Sequence, residues 1–272
     1  IIYGSRFKLE KFDKILFYGT SPILSAIPAI ILKFIYGKKL IIWVQDLWPQ
    51  SIVATGYVKS KILLYIINLI VKIIYAFSDK ILIQSKSFKK YISNQAPKKK
   101  IIYYPYRFKE PNLRIILKSN HRDLLKKNYC ITFAGNIGRA QNLESLLLAS
   151  KNLEKLNKLK ILILGEGSDK KRLLNILKKK KINNVYFLGS HSQDYVYEIY
   201  KKSKAVFVSL RNSEVLNLTI PYKIQSYLSA GKLIIGSVSG ITKKIIINNK
   251  LGFCCKNDDI ENQKALDKVQ AD

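Results

Sequence analysis

A chain of 272 residues can fill one large domain or two ordinary ones, and 48% hydrophobic content supplies buried cores, which excludes a disordered protein. A formal charge of +30 points to phosphorylated ligands, nucleic acid or an anionic membrane surface without choosing among them, and lysines spread over most segments read largely as solvated surface. Cys130, Cys254 and Cys255 make no disulfide framework and fit a reducing cytoplasm; His121 and His191, far apart in sequence, read as loop or surface residues and offer no zinc site.

Short apolar runs of strand type alternate with runs of helical period from end to end, which predicts an α/β protein with parallel sheets, doubly wound in both halves. In the first half, strands are expected over 14–18, 40–45, 80–84 and 100–104, and helices over 23–36, 61–77 and 87–94. The apolar runs 23–35, with Pro28 inside, and 62–77, broken by Asn68 and Lys72, are too short to span a bilayer and read as buried helices. Residues 105–128 hold two prolines, many charges and no clean period, so they read as a linker and surface turn. A boundary near Pro111 divides the chain into 1–110 and 111–272. The first part shows no opening strand and glycine-rich turn, and the chain opens at Ile1 without any methionine, so it is expected to start part-way through a longer protein. In the second half, strands are expected over 130–134, 160–164, 185–188, 205–209 and 233–236, and helices over 143–156, 169–179, 194–202 and 223–230.

Ligands of doubly wound sheets bind outside the carboxyl ends of the strands, so the loops there are the first candidates for a site. GNIGRAQ, which carries Gly135, Asn136, Gly138, Arg139 and Gln141, follows the strand CITFA and precedes a helix. Asn142 is the expected N-cap, the helix-start amides and two glycines suit an anion, and Arg139 adds a fork of donors for phosphate oxygens. A tight turn with Arg139 in solvent is the alternative. GEGS supplies Gly165, Glu166 and Gly167, with Ser168 as expected cap. PYKIQSYLSAG begins at Pro221 and stops at Gly231, limits that suit a helix. Lys223 then falls in the first turn, where the helix dipole disfavours a cation by up to about 1 kcal/mol unless an anion joins it; a plain exposed lysine is the other reading.

A departing nucleotide diphosphate needs positive charge, from a metal on carboxylates or from Arg and Lys. No Asp-x-Asp occurs, and Asp258 and Asp259 read as solvated, so Arg139, Lys223 and helix amides are the candidates and neither metal nor cofactor is called for. In the first half, KLIIWVQ ends in Asp46 and Trp48, an acid and an indole that could take the proton of a hydroxyl acceptor and bind its sugar. Packing for Trp48 and turn capping for Asp46 stay open.

In order, WVQDLWPQS, FAGNIGRAQ, ILILGEGS, VYFLGS and IPYKIQSYLSAGKLII resemble the bacterial family 4 (group 1) glycosyltransferases of GT-B fold, above all the O-antigen and capsule branch with its N-acetyl-fucosamine transferases. The resemblance implies two Rossmann-like domains facing a cleft. It implies retaining transfer of a hexosyl group from a nucleotide-sugar donor, commonly UDP-linked, held by the second domain. The acceptor would be a polyprenyl-linked saccharide on the first domain, at the anionic inner face of the plasma membrane. Gly189 and Ser190 would lie by the base, Pro221 and Ser226 by the donor, and Arg139 and Lys223 on the diphosphate. The chain departs from the pattern at Ser226, where many relatives have Glu, at Leu218 for a partner acid, at Asn136 for an Arg and at Leu233 for a Pro. Two rivals are a nucleotide-sugar 2-epimerase of the same fold and a non-catalytic module on an anionic surface. No nucleic-acid motif is present.

Overall fold

The structure is a computed structural model that describes residues 12–55, 58, 60–111, 115–156 and 158–255. The chain divides into two compact units, Ile1–Tyr106 with Leu218–Ile220, and Arg107–Asn217 with Pro221–Asp272. Asp258 and Asp259 lie outside the described residues.

In the first unit, β1 (Lys14–Gly19), β2 (Lys39–Val44), β3 (Lys80–Ile83) and β4 (Ile101–Tyr103) pair in parallel in the order β1-β2-β3-β4. Between them run α1 (Ile27–Tyr36), α2 (Gln50–Thr55), α3 (Lys61–Phe77) and α4 (Phe88–Ile92). Alternation in β2 buries Leu40, Ile42 and Val44 completely. Helix α3 starts where the Ser60 hydroxyl accepts the Leu63 amide (3.4 Å), and it buries Ile67, Val71, Ile74 and Tyr75, one face at helical spacing. The expectation that α1 and α3 are buried helices is corrected here: each hides one face, and the opposite faces carry exposed isoleucines and phenylalanines. Helix α2 was not expected.

The second unit holds a six-stranded parallel sheet in the order β10-β9-β8-β5-β6-β7. Its strands are β5 (Tyr129–Ala134), β6 (Leu159–Leu164), β7 (Val185–Gly189), β8 (Ala205–Ser209), β9 (Leu233–Ser237) and β10 (Gly252–Cys255). The chain builds outward from β5 through β6 to β7, then returns to the other side of β5 with β8. This reversal makes the β5–β8 boundary a topological switch point, the place where doubly wound sheets bind ligands. Burial on both faces explains the unbroken apolar strands: Ile131, Phe133, Ile161, Ile163, Ala205 and Phe207 are fully buried.

Helices α5 (Ser119–Lys127), α6 (Leu143–Asn152), α7 (Lys170–Lys180), α8 (Gln193–Lys202), α9 (Lys223–Ser229) and α10 (Gly240–Asn248) cover the sheet. Helix α5 overturns the reading of 105–128 as linker and turn throughout: His121 and Leu125 bury one turn apart and hold it on the unit, despite its charge. Helix α10 and strand β10 were also unforeseen. Two capping expectations fail. Asn142 stands before α6 but in the left-handed region (φ 44°) without a side-chain cap bond, and α7 begins after Asp169, one residue beyond Ser168.

Candidate functional site

At the carboxyl ends of β5, β6 and β7, sheet hydrogen bonding continues past the strands. Gly135 N–H donates to Leu164 O (3.0 Å), Ile137 N–H to Glu166 O (2.8 Å) and Gly165 N–H to Gly189 O (2.8 Å). The three loops are thereby laced together. The amides of Gly135 and Gly165 are spent on this lacing; those of Asn136 and Gly138 are not engaged in it. Gly165 permits the close approach: its φ is 127°, and a methyl group there would collide with the Gly135 carbonyl oxygen.

A cavity of about 710 Å³ opens over these loops, and every residue lining it belongs to the second unit. Gly135, Asn136 and Gln141 line it from the first loop, Gly165 and Glu166 from the second, Ser190 and His191 beyond β7, and Pro221, Lys223 and Ser226 from the start of α9. Gly138, Gly167 and Gly189 support the loops without lining the cavity, and Arg139 sits exposed on the short turn Arg139–Gln141, outside its wall. Of the two expected diphosphate cations, therefore, only Lys223 lines the cavity. Glu166 is ion-paired with Lys170 (2.6 Å).

Lys223 owes its position to α9. Ile224 and Tyr227 are buried beneath the helix, and the Tyr227 hydroxyl donates to Phe207 O (2.8 Å) on β8, which turns Lys223 toward the cavity. The residue is half-buried, but its ammonium points inward, 3.8 Å over the Phe133 ring, and donates to Gln141 Oε1 (3.0 Å). A side chain at Gly135, itself at φ 139°, would begin 3.3 Å from that ammonium. No ion pair of Lys223 is found among the described residues. Desolvation pushes its pKa down to about 7. A cation desolvated with no carboxylate partner among the described residues is one that an anion could join.

Sequence reasoning missed the opposite wall. Gln193, Val196, Tyr197 and Tyr200 line it from one face of α8, joined by Tyr222 and Phe108. Their i, i+3, i+4, i+7 spacing was visible, but such a stripe reads equally as core. The histidines are not loose surface residues. His121 is buried, and its ring lies 5.5 Å from that of His191, which stacks on Tyr195 at 4.3 Å. Tyr195 Oη accepts the Lys118 amide (3.0 Å) and shares a hydrogen bond of 2.8 Å with His121 Nδ1, in a direction set by the imidazole tautomer. Burial first, then His191 and Lys118, lowers the pKa of His121. His191 Nε2 donates to Leu188 O (2.9 Å), fixing its ring at the cavity edge.

In the first unit, Asp46 and Trp48 follow β2. The Trp48 indole donates to Ser21 Oγ (2.9 Å), and Ser21 donates to Asp46 Oδ2 (2.8 Å). Trp48 is 8% exposed, so its ring is packed away, and its N–H orients the serine that holds the acid. Ser21 carried no signal in the sequence, since it joins Asp46 only through the fold.

A cavity at the carboxyl ends of a doubly wound sheet, with Lys223 in its wall, marks an α/β ligand-binding protein, and its fold is that of GT-B glycosyltransferases. Residues 116–269 match the family model described as glycosyl transferases group 1, and the chain belongs to that family. The uncharacterized glycosyltransferase MJ1059 of Methanocaldococcus jannaschii is 27% identical over 228 residues, covering 77% of this chain and 54% of its own. The chain thus spans about half the length of that curated relative. Among solved structures, Anabaena HepE in complex with UDP and glucose superposes with TM-score 0.75 at 14% identity, over 97% of this chain and 69% of HepE. The Escherichia coli trehalose-6-phosphate structure bound with UDP-2-fluoro glucose gives 0.65 at 14% identity over 95% of this chain and 66% of its own.

Proposed function

We propose that the chain works in a retaining glycosyltransferase that moves a hexosyl group from a nucleotide diphosphate sugar, UDP-linked, to a polyprenyl-linked saccharide during surface polysaccharide synthesis at the inner face of the plasma membrane. The observation that carries this reading is the Lys223 ammonium, desolvated and without a carboxylate partner among the described residues, at the mouth of the doubly wound sheet. A diphosphate seated there supplies the missing counter-charge. As the bond from the anomeric carbon to the diphosphate breaks, Lys223 stabilises the growing negative charge, so the reading needs no metal.

Asn136, Gln141 and Ser226 face the same cavity and would orient the donor, while Ser190 and His191 would border the base. Arg139, on the turn that ends in Gln141, adds positive potential from outside the wall. On the acceptor side, Asp46 held by Ser21 would take the hydroxyl proton as the new glycosidic bond forms on the face the diphosphate leaves. UDP and UDP-sugars in HepE and in the Escherichia coli structure support the choice of base.

Thermal unfolding with UDP, GDP or ADP tests the proposal. A ligand at a hundred times its Kd stabilises its site by about 2.7 kcal/mol, a shift of several degrees. UDP is expected to give that shift and GDP and ADP less; if no nucleotide moves the transition at millimolar concentration, the reading fails.

A further inference from the structure

We infer that the outer faces of α1 and α3 form a single surface that lies on an anionic lipid bilayer. On α3, Ile62, Ile66, Leu69, Ile73 and Phe77 are exposed at helical spacing, opposite the buried stripe, with Ile62 at 75% exposure. Helix α1 adds exposed Phe34 and Ile35, the latter at 64%. The rings of Phe34 and Phe77 meet edge to face at 5.2 Å, which joins the two stripes into one apolar patch. Contiguous patches of this kind mark interaction sites.

Charge selects the occupant. Neither helix contains an acid, while Lys61 and Lys72 stand exposed on α3 and Lys38 and Lys39 follow α1. From Lys14 to Lys109 the acids are Asp46 and Asp79 alone, and Asp79 is paired with Lys33 at 2.7 Å. Apolar side chains rimmed by lysines suit the boundary between headgroups and acyl chains, where each lysine also gains from anionic lipid. A second copy of the chain would set this cationic rim against itself. No helix among the described residues is long and apolar enough to cross a membrane, so the patch lies on the bilayer. The inference deepens the proposed function by assigning its membrane partner a surface, and it is tested without any donor, so the two can fail separately.

The chain is sedimented with vesicles of phosphatidylcholine alone and of phosphatidylcholine with about one third phosphatidylglycerol, at about 0.05 and 0.5 M salt, a range over which exposed charges become largely screened. Binding to the anionic vesicles at low salt is expected to exceed that to neutral ones about tenfold and to weaken at high salt. The pair Ile66→Glu with Ile73→Glu, and separately Lys61→Glu with Lys72→Glu, should each lower it about tenfold. All four positions are exposed, and an unchanged far-ultraviolet circular dichroism spectrum confirms that the variants fold. The inference is overturned if the chain stays in the supernatant with anionic vesicles at low salt, or if both variants bind as the parent does. It is equally overturned if sedimentation velocity shows a dimer that the isoleucine variant dissolves while vesicle binding is unchanged.

Discussion

Lys223 concentrates the chemistry of the cavity in one titrating group. With its pKa at about 7, it would bind the proposed diphosphate in its protonated form. UDP affinity should therefore fall about tenfold per unit as pH rises above 7, until the higher pKa of the complex is reached. Calorimetric titration across pH 6–9 reads this slope, and Lys223→Arg should flatten it. In a radiolabelled nucleotide-sugar assay, Lys223→Ala should lower turnover about a hundredfold or more. Folding responds to the same group: the unfolded chain keeps the ammonium charged to higher pH, so the residue costs stability below pH 7, and the cost fades as pH rises toward the ordinary lysine range. Ser21 makes a separate prediction. Ser21→Ala frees Asp46 from its orienting hydroxyl and should reduce kcat about tenfold with UDP affinity unchanged, while Ser21→Thr restores it; an equal loss of donor binding would assign Ser21 to the fold alone.

Among the elements, the lacing of the loops and the clamp between α6 and α7 carry the stability of the site. Gly165→Ala must either move the Gly135 carbonyl or abandon a φ of 127°, and should cost at least about 2 kcal/mol in urea unfolding. Arg172 grips Asp169, 3% exposed, through two bonds (2.7 and 2.8 Å) and also pairs with Glu144. The Arg172 bond, more than any other cause, holds the Asp169 carboxyl below its ordinary range. Its stabilisation is complete above that range and is lost as pH falls through the lowered value. Arg172→Met should cost about 2 kcal/mol near neutrality and move acid unfolding to higher pH, as denaturant midpoints at pH 3–7 would show. The strands other than β10 were legible because apolar runs between turn signals have few other meanings in a parallel sheet. Helices α5 and α10 were not: lysines crowd α5, β-branched isoleucines blur the period of α10, and tertiary burial of His121, Leu125 and Ile246 decides both. The polar half of the cavity was legible through its glycines and Lys223, whereas the α8 wall looked like core and Arg139, expected beside Lys223, does not line the cavity.

For the whole molecule, the cavity and the Asp46 cluster reside in different units. UDP should accordingly slow amide exchange in the loops after β5, β6 and β7 and leave β1, β2 and β3 unchanged; equal protection of both sheets would place the nucleotide elsewhere. The laced loops also carry a consequence for how relatives can diverge. A floor stitched to the sheet by main-chain bonds tolerates little drift in sequence or length, since any insertion must break a rung. Novelty in the sugar accepted should then be written on the aromatic rim, at Phe108, Tyr197 and Tyr222, where a new side chain reshapes the entrance and disturbs no rung.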